Sequence, residues 1–527
     1  MIQKLKKLAI VTTCSALILT ACGGEVDEEA GGKNDEQGSK EEALEVEYED
    51  RLTIGMGTDM VTFDIHDHNN TSTEAVHINI FDYLFRQEDG EIQSELVSKH
   101  EIIDDETWKF KLKEGVKFHN GDELTSKDVQ FTFHRVIEDS SLTEHSNYNQ
   151  ISEVEVINDY EFYIHTEDPE PALLNRISRM GSGILPKDYI EEEGWDHFLD
   201  SPIGSGPYEF VEWERDNRVV LNPFEDYYGD YDSPWEEVVY RVIPEDSTRV
   251  SELLTGGVDL AVNVPPTDWD RVDDNQGTLI STGDSNRVML LILNHEEGRP
   301  TEEQKVREAI DYAIDNEALT ESILDGQGTP VRTRVTPGNT GYNEELYDDY
   351  RYDPDYSREL LEEAGYSDGV ELKFHAPQGR YLMDSDVSEM ITGMLAEVGI
   401  NADLNLLEFS QFADKYLGNE NEDLMFLGLS NSMFDAAHAL RNFHSEQNTE
   451  RTYYENERVD ELLEKAESNM DFEERKEQYQ EVQEIVAEEL PYVYLYQQKD
   501  SYGINNRIDF EPRLDEMIYI PEIGKTD

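Results

Sequence analysis

Few side chains in this chain are spaced for chemistry on a bound molecule. No Gly-x-Ser-x-Gly elbow presents a nucleophile, no His-Glu-x-x-His pair is set to hold zinc, and no Cys-x-x-Cys occurs. Gly55-Met56-Gly57 closes a candidate strand, but Met60 stands where a dinucleotide fingerprint needs its third glycine. Gly524-Lys525-Thr526 imitates the end of a phosphate loop, with Tyr519 at the first glycine position. Carboxylate pairs identify no glycosidase, because among 119 acidic residues some pair falls at the required spacing by chance. In His66-Asp67-His68 two imidazoles stand two apart and can meet one metal ion. A loop pair flanked by carboxylates is expected instead to be solvated, with no metal and no other cofactor. Binding chemistry is better represented. Arg380 offers a planar fork suited to a ligand carboxylate, although a neighbouring acid such as Asp384 can equally take it. Met433 and Phe434 can form an apolar wall or be plain core.

The elements that must position these residues come from a chain of 527 residues, too long for one ordinary core and expected to form two or three domains. With 119 acidic against 43 basic residues the formal net charge is -76, a field that repels phosphate and excludes nucleic acid as a partner. The 37% hydrophobic and 10% aromatic content supplies a core, so the charge reads as a carboxylated surface suited to a salty or alkaline exterior. At the front, Lys4, Lys6 and Lys7 precede the apolar run Leu8 to Thr20, which is short of the ~20 residues a spanning helix needs. Leu19-Thr20-Ala21-Cys22 then reads as a lipobox, so cleavage before Cys22 and lipidation of its sulfur are expected, with residues 22–44 a flexible tether. Cys14 leaves with the signal, and one cysteine allows no disulfide.

From Trp108 to Phe133 four local signals agree. Trp108, Phe110 and Leu112 alternate with lysines as in a half-buried strand; Val116 and Phe118 restart the alternation; Asn120-Gly121 suits a tight hairpin turn. Thr125 with Asp128 three residues on forms a capping box ahead of Val129, Phe133, Val136 and Ile137 on one helical face. Further on, strands are expected around Asn158-Asp159, a capped helix and buried strand over Pro244 to Leu260, and a strand buried on both faces at Met289 to Asn294. Val306 to Ile314, Val459 to Ala466 and Asp471 to Ala487 read as helices, Ile400 to Leu406, Leu424 to Leu429 and Pro491 to Tyr496 as strands.

The Trp108–Phe133 run resembles the signature of extracytoplasmic solute-binding family 5, the peptide and nickel receptors of bacterial ABC importers. Pro202 to Tyr208 resembles that family's Gly-(Thr/Ser)-Gly-Pro-Tyr turn, and Val306, Arg307, Ala309, Ile310, Ala313, Ile314 and Asp315 resemble one of its helices; the likeness runs from about Leu52 to Asp515. It implies an α/β bilobal periplasmic-binding-protein fold of type II, in the large three-domain cluster with mixed sheets: lobe I from 45–81, 196–293 and 489–527, a small appended domain at 82–195, and lobe II at 294–488. It also implies a monomeric, non-enzymatic receptor. Such a receptor is extracytoplasmic, tethered by lipid to the outer face of the cell membrane, and delivers a short peptide or peptide-like solute to permease subunits with their ATPases. A nickel chelate, an oligosaccharide or an amino-acid conjugate is the nearer alternative cargo, and a secreted hydrolase the remote one. Gln378 to Tyr381 resembles the Gly-Arg-Tyr loop of dipeptide and glutathione binders, which implies a ligand role for Arg380 and Tyr381. Gly428 to Ala436 resembles the Gly-Trp-x-x-Asp-x-x-Asp-Pro segment that receives a peptide amine, which implies roles for Asn431, Ser432, Met433, Phe434 and Asp435. Here Leu429 replaces the tryptophan and Ser432 the first acid.

Overall fold

The computed structural model describes residues 48–88, 90–447 and 451–526. The leader, Cys22 and the expected tether lie outside them. Among the described residues no helix is long and apolar enough to cross a membrane.

Strand Thr107–Leu112 buries Trp108, Phe110 and Leu112 and turns its lysines outward, as the alternation requires. It lies between Val97–Asp104 and Glu161–Thr166 in a four-stranded antiparallel sheet closed by Ile151–Asn158. Past Gly115 the expected second strand shrinks to one bridge between Lys117 and Glu123. Asn120 Oδ1 accepts the Asp122 N–H beside two backbone bonds of 2.8 Å, Gly121 N–H to Phe118 O and Phe118 N–H to Asp122 O, and within the turn only Gly121 takes positive φ. The capping box forms as read: Asp128 Oδ2 accepts the Thr125 N–H at 2.8 Å, and helix Ser126–Glu138 packs Val129, Phe133 and Val136 onto the sheet. Sequence reading missed Val97–Asp104, whose mostly polar face is open to water and has no period to detect.

An 11-stranded mixed sheet runs through the rest of the molecule. Its spine is two antiparallel strands, Thr278–Leu293 and Tyr492–Asn505, far longer than the six-residue runs that the sequence marks. Their outer halves, 278–284 with 499–505, join strands Leu260–Val262, Arg51–Met56 and Glu237–Val242; their other halves join Leu424–Ser430 and Val370–Gln378. Between them the register breaks, from Asp284 opposite Lys499 to Val288 opposite Gln497. Separate apolar cores lie on the two sides of that break. Leu52, Ile54, Tyr240 and Leu260 belong to one; Leu291, Phe374, Phe426 and Val493 belong to another, with a third on the opposite face around Leu290, Leu427, Tyr479 and Tyr494. The four-stranded sheet has its own core. Two packed regions thus share a pair of crossover strands, and the irregular register lies between their cores.

Candidate functional site

Asn70 caps helix Thr71–Ile80 by accepting the Thr73 N–H, which sets Thr71, Glu74 and Ile78 on one face. That face lines a cavity with ≈ 60 Å³ open to the centres of water molecules. Tyr83, Arg86 and Gln87 add a second wall, Ser178, Arg179 and Met180 a third, and residues 514–517 a fourth; from beyond the register break come Asn286, Ser430, Asn431, Ser432 and Phe434. A second, more polar hollow of ≈ 330 Å³ shares Gln87, Phe434, Leu514 and Asp515 with it.

Most charges on this wall are already matched. Arg86 is bound to Glu95, Arg179 to Glu144, Arg287 donates to both carboxylate oxygens of Glu516 at 3.1 Å, and Arg513 grips Asp515. Burial opposes the charge on Arg179, but the adjoining Glu144 more than offsets it and keeps the guanidinium protonated. Four buried atoms on the wall make no hydrogen bond among the described residues: Glu74 Oε2, Arg86 Nη1, Gln87 Oε1 and Arg179 Nε. Buried polar atoms are costly to leave unmatched, so a polar solute meeting them has favourable contacts in hand.

The loop expected to carry the site divides. Ser432 Oγ accepts from Arg179 Nη2 at 3.2 Å, and Phe434 faces both hollows with φ 54°, a left-handed conformation that a bulky side chain rarely holds without compensation. Asn431 reaches the cavity, yet its amide is tied to Asn339, Asp435 and His438, and Asn286 donates to its carbonyl at 2.6 Å. Met433 is buried off the cavity, its carbonyl held by Asn175 and its sulfur 3.9 Å from Arg176. Asp435, read as the acid for a ligand amine, is turned away. Arg475 donates to its two oxygens at 2.7 and 2.8 Å, and both side chains are 1% exposed. The pull of a guanidinium 40 residues on, invisible in a loop motif, decides its orientation. Tyr381 donates to the Gly428 carbonyl and lies half-buried beside Arg287, outside the cavity wall. Arg380 is exposed beyond it, stacked near the Tyr381 and Phe409 rings, and forms no ion pair among the described residues.

The histidine loop is not solvated. Both His66 and His68 are buried, His66 against Arg135 and His68 against His77 of helix Thr71–Ile80. His68, Glu74 and His77 instead come within metal-ligand reach of one another. Their hydrogen bonds oppose a cation. The Asn70 N–H uses the lone pair of His68 Nδ1, which places the His68 proton on Nε2, facing His77 Nδ1 at 3.3 Å, while His77 Nε2–H meets the Thr62 carbonyl at 2.9 Å. His68 therefore has no free lone pair to offer. Burial lowers its pKa to about 4, so the relay is neutral.

Beside Glu516, at the register break, Asp500 is buried with Oδ2 unmatched among the described residues. Burial first, then Glu516, pushes its carboxyl up to about 8, against the pull of Arg287. The folded state thus holds a proton that the unfolded chain, near the ordinary 3.8, releases. Asp500 therefore supports stability in acid and loses that support as pH climbs from about 4 to about 8. Asp500→Asn is expected to melt higher than the parent at pH 8–9 and level with it near pH 4; melting curves across that range check it.

This is the fold and cavity of a two-lobed extracellular solute receptor. Residues 91–451 match the family model for bacterial extracellular solute-binding proteins, family 5 Middle, and the chain belongs to that family of ABC-importer receptors. It is 26% identical over 460 residues to the glutathione-binding protein GsiB of Salmonella typhi, covering 85% of this chain and 89% of the relative. In fold it resembles the DppA binding protein of Helicobacter pylori in complex with the peptide STSA, at 24% identity, 90% and 98% coverage and TM-score 0.76. It also resembles AgaA of A. tumefaciens R10 in complex with agropinic acid, at 24% identity, 90% and 99% coverage and TM-score 0.75. The chain is a binding protein and not an enzyme.

Of the sequence-derived residues, Asn431, Ser432 and Phe434 line this cavity and Met433, Asp435, Arg380 and Tyr381 do not, whereas Glu74, Arg86, Gln87 and Arg179 line it and were missed. An acid at position 74, directly before the run Ala75 to Phe81 that is apolar apart from His77 and Asn79, was the available signal; nothing local marks the two arginines.

Proposed function

We propose that the protein is an extracytoplasmic lipoprotein, anchored through Cys22 to the outer face of the cell membrane, that captures a short peptide or peptide-like solute as a monomer and passes it to permease subunits with their ATPases. The observation that carries this reading is the cavity walled by residues from both sides of the register break, with four polar atoms unmatched. A solute touching both sides shifts the equilibrium towards the shut form by its contacts to each. This reading keeps the expected partition into 45–81 with 196–293 and 489–527, 82–195, and 294–488, with the inner halves of the crossover strands, Met289 to Leu293 and Leu490 to Tyr496, packing into the core of the last of these. The glutathione-binding relative and the peptide-bound neighbour support the cargo class.

In this reading Phe434 and Ser432 contact the solute directly, Asn431 through its loop, and Arg380 beside Tyr381 receives a carboxylate at the rim. A non-peptide amino-acid conjugate is the second reading, favoured by Ser432 in place of an acid and by the agropinic acid neighbour. Calorimetric titration with di- to pentapeptides, glutathione and amino-acid conjugates separates the two; binding by conjugates alone removes the peptide reading. Arg380→Ala is expected to weaken a carboxylate-bearing ligand at least tenfold, about 1.4 kcal/mol. Unchanged affinity takes Arg380 out of the site.

A further inference from the structure

We propose that Glu74 is the acid that receives the amine of the bound solute, replacing the loop acid that Ser432 and Asp435 no longer supply. The inference rests on the peptide-like cargo reading and deepens it to solutes with a free ammonium group.

Three acids face the cavity: Glu74, Asp515 and Glu516. Asp515 is clamped by Arg513 and Glu516 by Arg287, which leaves neither a full charge to offer. Glu74 is different. Its Oε1 accepts from the Tyr83 hydroxyl, its Oε2 makes no hydrogen bond among the described residues, and the side chain is almost wholly buried. His68 Nε2 and His77 Nδ1 stand 3.5 and 3.8 Å from Oε2, but the pair is neutral and the one proton between them is shared with His77. Arg86 and Arg179 act on Glu74 from farther away, and both are bound to other carboxylates. A three-donor ammonium brings what this buried carboxylate lacks, a positive charge and a hydrogen bond to Oε2, and burial makes such a bond strong.

Capture is then coupled to a proton. The groups facing Glu74 are Tyr83, His68, His77, Glu144, Arg179 and Arg86; burial is the largest influence and, with Glu144 against Tyr83, Arg179 and Arg86, sets its carboxyl at about 7. An ammonium binds the ionised form, so binding near pH 6.5 expels a proton and affinity rises as pH passes through about 7.

Alanine di-, tri- and tetrapeptides and glutathione, each with its amino group free or acetylated, are titrated into the wild-type protein and Glu74→Gln in buffers of different ionisation heat. Supporting results are at least tenfold weaker binding of the acetylated forms, proton release with the free amines at pH 6.5, and loss of that discrimination in Glu74→Gln. Equal binding of free and acetylated forms, or discrimination that survives in Glu74→Gln, overturns the amine site while leaving peptide capture standing. Binding of neither form overturns the peptide reading and the amine site with it. The acetylation and proton-release arms need only the wild-type protein, so a poorly folded variant does not blunt the test.

Discussion

Asp435→Ala is expected to destabilise the protein by about 3–5 kcal/mol, the cost of leaving one member of a buried ion pair without its partner. Arg475 reaches Asp435 with both terminal nitrogens, gives its Nε–H to the Ala466 carbonyl and meets the Tyr479 hydroxyl at 3.3 Å. Asp435 in turn caps the short helix Ala436–Leu440 through the Ala437 N–H. Loop 431–435 and helices Glu457–Glu467 and Phe472–Glu489 therefore meet at one charge pair. Without the carboxylate, a guanidinium stays buried with no counter-charge. The companion Asp435→Leu with Arg475→Met is expected to recover most of the loss, because removing both charges also removes their desolvation cost. Urea unfolding of the wild-type protein and the two variants measures this. A ligand titration on folded Asp435→Ala supplies the opposing outcome: normal stability with lost affinity would return Asp435 to the binding site.

The same residue shows where sequence reading stops. Alternation at Trp108, Phe110 and Leu112 and the capping box at Thr125 and Asp128 are local physics, legible within a few residues, and both form as read. The Gly115 to Gly121 stretch was legible as a turn but not as a single bridge from Lys117 to Glu123, because the Asn120 side chain braces a turn in which only Gly121 takes positive φ. The crossover strands were seen only over Met289 to Asn294 and Pro491 to Tyr496, where both faces are buried; their other halves mix polar residues that match neither period. Glu74, Arg86 and Arg179 become a site only because stretches a hundred residues apart converge, and no spacing rule reports that. Asp435 failed for the complementary reason. Its loop motif was visible, but the partner that claims it sits on another helix.

Gly206→Ala is the second large expected effect, and it ties the glycine turn to the binding site. A Cβ at 206 would lie 2.6 Å from the Ile80 carbonyl carbon and 2.7 Å from the Asn79 oxygen, both backbone atoms that cannot rotate away. The turn is pinned there. Gly206 N–H donates to Ile80 O at 2.9 Å, and His119 spans the two glycines, its Nδ1 accepting from Gly204 N–H at 3.2 Å and its Nε2–H donating to Gly206 O at 3.0 Å. Burial lowers the His119 pKa to about 4, so this clamp stays neutral and intact above that pH. Overpacking costs ~1–3 kcal/mol where side chains can yield; against fixed backbone the upper end is expected. Ile80 ends the helix that presents Glu74, so relief of the clash must move that helix and, with it, the cavity wall. Gly206→Ala is therefore expected to lose both melting temperature and affinity for free-amine peptides, and to lose proportionately less affinity for their acetylated forms. A stability loss with affinity and discrimination unchanged would show that the turn supports the fold without setting the position of Glu74.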